Sequence, residues 1–131
     1  MLKLYTDAAT KGNPGLGGAG ILIVSQTDQI QLHYPLPEMS NHEAEFHAAI
    51  LGFDYLLAHG PLPDMLSYYT DSRLVIDALD KRYAKHYPAL VSDLLARVDQ
   101  FPLVIWQWAS DKNNHGAHSL AQQGLRQAQA Q

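Results

Sequence analysis

The chain contains no cysteine, so neither a disulfide framework nor a thiolate metal site is available to it. Its apolar runs fall well short of a membrane span, and no basic-then-apolar signal pattern opens the sequence. No membrane partner is expected, and a cytoplasmic location follows as the default. Positive charge is also scarce: 9 Lys and Arg stand against 13 Asp and Glu, for a net charge of −4. A dedicated high-affinity nucleic-acid binder would usually be basic, so that class is disfavoured. An enzyme that meets nucleic acid through bound cations is not. Repeats, low-complexity stretches and linkers are absent too, so residues 1–131 read as one domain, expected to be a monomer.

What is present is a set of short apolar runs punctuated by turn residues. Residues 2–7 read as a buried strand ending at Asp7, residues 18–25 as a second, and residues 29–35 as a third, with Ile30, Leu32 and Tyr34 alternating against polar neighbours. Short connections make these three antiparallel. Ser40-Asn41-His42-Glu43 has the form of a capping box, and helical spacing runs from Ala44 to a stop at Gly60-Pro61. A strand over 65–70 follows, then helical patterns at 72–80 and 88–100. A strand over 103–108 precedes a last helix from about Asn114. The order is βββαβααβα, an α/β fold with a five-stranded mixed sheet covered by helices.

Two of these strands end alike, in Tyr5-Thr6-Asp7 and Tyr69-Thr70-Asp71. Laid side by side in parallel, they bring two carboxylates to one edge of the sheet. Glu45, a turn into the first helix beside Ala48 and Ala49, reaches the same edge if those small residues let the helix lie close. Three carboxylates held together repel one another unless cations bind. Oxygen-only ligands suit Mg²⁺ or Mn²⁺ rather than Zn²⁺. The glycines at 12, 15, 17 and 18 either permit positive φ or let something large approach the backbone. Lys81, Arg82, Lys85 and His86, interleaved with Tyr83 and Tyr87, are either a solvated inter-helix loop or a small phosphate-contacting patch.

Taken together, YTDAATKGNPGLGGAG (5–20), SNHEAEFHAAILG (40–52), YTDSRLVIDAL (69–79) and WQWASDKNNHGAHSLAQQGL (106–125) resemble the ribonuclease H type 1 family over essentially the whole chain. The resemblance implies an RNase H-like fold and hydrolysis of the RNA strand of RNA–DNA hybrids by a two-metal route. Position by position it places Asp7, Glu45 and Asp71 on three of the family's four metal-binding acids. It places Gly12, Asn13, Asn41 and Ser72 on hybrid-contacting positions.

The fourth acid departs from the family pattern. Where relatives have Asn-x-x-Ala-Asp-x-Leu-Ala, this chain reads Asn114-His115-Gly116-Ala117-His118-Ser119-Leu120-Ala121. His118 therefore takes the fourth catalytic and metal-binding place, and imidazole is a poor ligand for hard Mg²⁺ and a better one for Mn²⁺. The implied activity is an endonuclease, impaired or Mn²⁺-preferring. The alternative is a catalytically weak or inactive relative that binds nucleic acid or a protein partner. His115 is the nearest candidate for a proton-transfer histidine, and Asp111 lies in the preceding loop without an aligned role. Trp106 and Trp108 alternate along the last strand, where at least one is expected to pack into the core.

Overall fold

A computed structural model describes residues 1–131. Five strands form one mixed sheet in the order β3-β2-β1-β4-β5: β1 (Leu2–Thr10), β2 (Gly15–Val24), β3 (Gln29–Met39), β4 (Leu66–Thr70) and β5 (Val104–Trp108). The first three are antiparallel neighbours, and β4 runs parallel to both β1 and β5. Helix α1 (Asn41–Ala58), with α2 (Arg73–Lys81) and α3 (Pro88–Val98), encloses the main core, in which Leu4, Ile21, Phe46, Phe53, Leu66, Tyr68 and Leu94 are buried. Helix α4 (His115–Gln129) packs against β1, β2 and β3, with Ala121 and Leu125 clustered on Ala9 of β1. No helix is long and apolar enough to cross a membrane.

The element order is the one the periodicity predicts, but several boundaries move. Strand β1 continues through Ala8-Ala9-Thr10, paired with Ala19, Gly18 and Gly17, so Asp7 lies within the strand rather than at its end. It is nevertheless the first residue beyond the parallel pairing with β4, whose last partners are Thr6 and Thr70. Strand β2 begins three residues before the expected Gly18, and β3 runs on through Pro35 and Pro37 to Met39. Prolines are tolerated there because β3 is an edge strand. Helix α3 ends at Val98, two residues short of the pattern.

The glycine-rich stretch has two separate uses. Gly12, at φ +94°, forms the turn between β1 and β2. Further on, α4 crosses β2 at backbone contact: a Cβ on Gly18 would overlap the backbone of Leu125, and one on Gly20 that of Ala117 and Ala121. The large object approached by these glycines is the protein's own last helix. That close crossing fixes the height of α4 over the sheet, and with it the position of His118.

Candidate active site

The site is built at the sheet edge where β1 and β4 part. Tyr5 pairs with Tyr69 and Thr6 with Thr70, and the two tyrosine rings stack at 4.8 Å on one face of the sheet. Beyond these pairs the chains carry Asp7 and Asp71. On the opposite face α1 lies close to β1, because Ala44, Ala48 and Gly52 present almost no side chain; the Gly52 Cα stands where a Cβ would come within 2.9 Å of Thr6. The start of α1 is held by the expected capping box: Glu43 N–H donates to Ser40 Oγ (3.1 Å) and Ser40 N–H to Glu43 Oε1 (3.0 Å). That bonding keeps the Glu43 carboxyl below its usual range. One turn on, Glu45 faces the two aspartates.

Asp7, Glu45 and Asp71 each offer an oxygen within 4.8 Å of the others. Burial, then the charges of Asp7 and Asp71, push the Glu45 carboxyl well above its ordinary value. Burial also raises Asp7, with the hydrogen bond from His118 working against it. Asp71 is pushed up to about 8 by burial first, then by the charge of Asp7 and a hydrogen bond to Asp111. Carboxyls that share such a space without a cation hold protons instead. All the donors in this set are oxygens, the chemistry of a hard divalent cation. The residues therefore fit such an ion.

Two further groups extend the cluster at its ends. His118 donates from Nδ1 to Asp7 Oδ2 at 2.8 Å, while about half of its side chain remains exposed. No ring nitrogen of His118 belongs to the mutually close set formed by the three acids. Asp111 lines the same cleft, near enough to Asp71 to raise its carboxyl, and like His118 it stands outside the close set of three. The groups form a chain from His118 to Asp7 to Asp71 to Asp111, with Glu45 against its middle. Lys112 and His115 line the same cleft, as does Asn41.

The remaining sequence-predicted residues are distributed more widely. Asn13 and Asn41 meet: Asn13 Oδ1 accepts from the Asn41 N–H at 2.9 Å, joining the β1–β2 turn to the first free amide of α1. Gly12 stands in that same exposed turn. Ser72 is buried, and its Oγ accepts from the Val75 N–H as the N-cap of α2. In the 82–87 loop, Arg82 is committed to a bidentate pair with Asp99 at 2.6 and 3.1 Å, which leaves Lys81 at the end of α2 and Lys85 in the loop as the open cations of this cluster, beside His86. Trp106 packs on the core and donates to Asp80 at 2.6 Å. Trp108 is exposed, with Nε1 donating to the Asp71 carbonyl at 3.0 Å and the Arg73 guanidinium 4.1 Å from its ring centroid. Trp108 and Arg73 flank the site without having been singled out for it. The indole two residues before the turn was the available signal for the first, and Arg73 gave none.

Comparison with known proteins places these features in context. The sequence matches the family described as reverse transcriptase-like over residues 5–124. It is 37% identical over 128 residues to the putative hydrolase EbsB of Enterococcus faecalis, covering 96% of this chain and 95% of that protein. It is 31% identical over 133 residues to the ribonuclease H of Erythrobacter litoralis, covering 92% of this chain and 90% of that one. The fold matches LC11-RNase H1, whose crystal structure is in complex with an RNA/DNA hybrid, with a TM-score of 0.85 at 21% identity, over 98% of this chain and 99% of that one.

Proposed function

The chain belongs to the ribonuclease H type 1 family, and from that membership we propose that it hydrolyses the RNA strand of RNA–DNA hybrids with divalent cations. One observation carries the reading. Three carboxylates from β1, α1 and the end of β4 converge within 4.8 Å, in a setting that keeps protons on them for want of positive charge. A purely structural role would not gather three acids this close with only the His118 ring hydrogen-bonded to one of them.

Asp7, Glu45 and Asp71 would hold the ions, Mg²⁺ or Mn²⁺. When bound as a pair, such ions activate water for attack on a phosphodiester and stabilise the departing 3′ oxygen. The chain's own part is to fix the acids and to arrange the approach of the hybrid. His118 orients the Asp7 carboxylate through Nδ1 and leaves Nε2 uncommitted. Asn13 and Asn41, joined at the rim, stand where a wide A-like minor groove would be read by shape and by 2′-hydroxyls. Ser72, at a position the resemblance assigns to hybrid contact, also starts α2 directly after Asp71.

A second reading rests on His118 itself. An imidazole in place of a carboxylate leaves a pair of cations less fully balanced. This favours a slow or Mn²⁺-preferring nuclease, or at the limit a relative that binds hybrid without cutting it. Cleavage of an end-labelled RNA–DNA hybrid in Mg²⁺ and in Mn²⁺ separates these. The expected result is cleavage by the wild type, at least in Mn²⁺, and none by Asp7→Asn. Activity surviving in Asp7→Asn, or hybrid binding with no cleavage in either metal, would overturn the nuclease reading.

A further inference from the structure

We propose that Asp111, rather than His118, supplies the fourth carboxylate of the metal site, an inference that rests on the metal-dependent reading above. The fourth acid has moved in this chain from the first turns of the last helix to the short 3-10 turn, Asp111–Asn114, that precedes it.

The geometry supports the move in three ways. Asp111 opens onto the same cleft as Asp7, Glu45 and Asp71, near enough to Asp71 to raise its carboxyl, and stands just outside the three acids that lie within 4.8 Å of one another. The turn is also tied to both strands that carry the aspartates. The Ala109 N–H donates to the Thr70 carbonyl at 2.8 Å, and Asn114 Nδ2 donates to the Thr6 carbonyl at 3.0 Å. Each of those carbonyls belongs to the residue just before an aspartate of the site, so the turn carrying Asp111 is registered against Asp7 and Asp71 by one backbone bond and one side-chain bond. Lastly, Asp111 is solvent-exposed on its outer side, as a ligand to a partly hydrated cation needs to be.

His118 is placed for a different task. Its Nδ1 is spent on Asp7 Oδ2, and an imidazole nitrogen is a weak ligand for a hard cation. It acts on the metal through Asp7, as a positioning residue. Asp111 supplies the negative charge that His118 lacks, so the site keeps four carboxylates although its last helix offers none.

The test is Mn²⁺ binding to the full chain at pH 8, followed by the electron paramagnetic resonance signal of free Mn²⁺. The wild type is compared with Asp111→Asn, His118→Asn and Asp7→Asn, each checked for native circular dichroism. Asp111→Asn is expected to weaken Mn²⁺ binding about tenfold or more, and His118→Asn by a smaller factor. Wild-type affinity in Asp111→Asn, or a larger loss in His118→Asn than in Asp111→Asn, overturns the proposal. Asp7→Asn separates this from failure of the underlying reading. If Asp7→Asn binds as tightly as the wild type, the three-acid site is itself not the metal site and the Asp111 assignment falls with it. If Asp7→Asn alone loses binding, the site stands and only the role of Asp111 is lost.

Discussion

His118 and Asp7, 111 positions apart in the chain, are joined by a 2.8 Å hydrogen bond from an imidazole Nδ1 to a carboxylate Oδ2. The bond lies at the one place where α4 reaches the carboxylates on the sheet edge. Asp7 is almost completely buried and His118 half-exposed, so the pair links the interior of the site to solvent. Replacing the histidine by an acid would exchange a hydrogen-bond donor for a further negative charge.

His118→Asp should therefore cut both ways. With Mg²⁺ present, cleavage of an RNA–DNA hybrid is expected to rise by roughly tenfold or more, since the new carboxylate adds a hard oxygen beside Asp7. In EDTA the same variant should melt ~3 °C lower, because a new carboxylate faces Asp7 without a donor or a cation. Paired rate and melting measurements check it. A variant that is no faster in Mg²⁺ contradicts the role assigned to the substitution at this position.

The pH dependence of the metal-free protein has a definite sign. Asp71 has a folded-state pKa near 8 against an ordinary 3.8. Between those values the folded chain holds a proton that the unfolded chain has released, so stability falls as pH rises from about 4 to 8 and levels off above. Solvent screening at this half-buried carboxyl limits its contribution to on the order of 1 kcal/mol. Melting curves in EDTA across that range should slope downward, and Asp71→Asn should flatten them. Saturating Mg²⁺ should also reduce the slope, since a cation takes the place of the proton.

Gly20→Ala tests the crossing of α4 over β2. The added methyl would meet the backbone of Ala117 and Ala121 rather than a side chain that can swing away. Overpacking of this kind costs about 1–3 kcal/mol or more. Urea denaturation should show a loss at the upper end of that range, and because α4 carries His118, hybrid cleavage should fall with it. Wild-type stability would mean that the helix has room to lift.

Asn114→Ala removes the side-chain donor to the Thr6 carbonyl beneath the site. Asn114 is itself buried, and its Oδ1 has no partner, so the residue is held by that single bond. The expected cost is about 1–2 kcal/mol in urea. The larger effect should be on cleavage, since the turn carrying Asp111 loses one of its two ties to the strands. A stability loss with an unchanged rate would show that Ala109 holds the turn without it.

Much of this architecture was legible in the sequence. Period-two and helical spacing gave the element order, and Ser40 and Glu43 gave the start of α1. The repeated Tyr-Thr-Asp gave the parallel neighbours, which pair residue for residue. Where reading along the chain stopped short, the cause was tertiary. Residues 8–10 and 15–17 carry too little apolar surface to announce strands, yet they pair because α4 covers that end of the hairpin. The N-cap role of Ser72 at the start of α2 was not read from the chain. The third strand, read as 29–35, runs on through Pro37 to Met39 because proline is tolerated on an edge.

The sequence by itself determined the family, the order of elements and three acids at one sheet edge, because spacing and residue chemistry are local properties carried by the chain. Only the tertiary structure decided what surrounds those acids. A loop's reach depends on contacts with strands far away in sequence: the carbonyls of Thr6 and Thr70 draw the 3-10 turn inward until Asp111 meets Asp71. The depth of α4 depends on glycines of another element, and it sets His118 against Asp7. No alignment register could bring Asp111 to the site, since the distance that matters is measured across the fold and not along it.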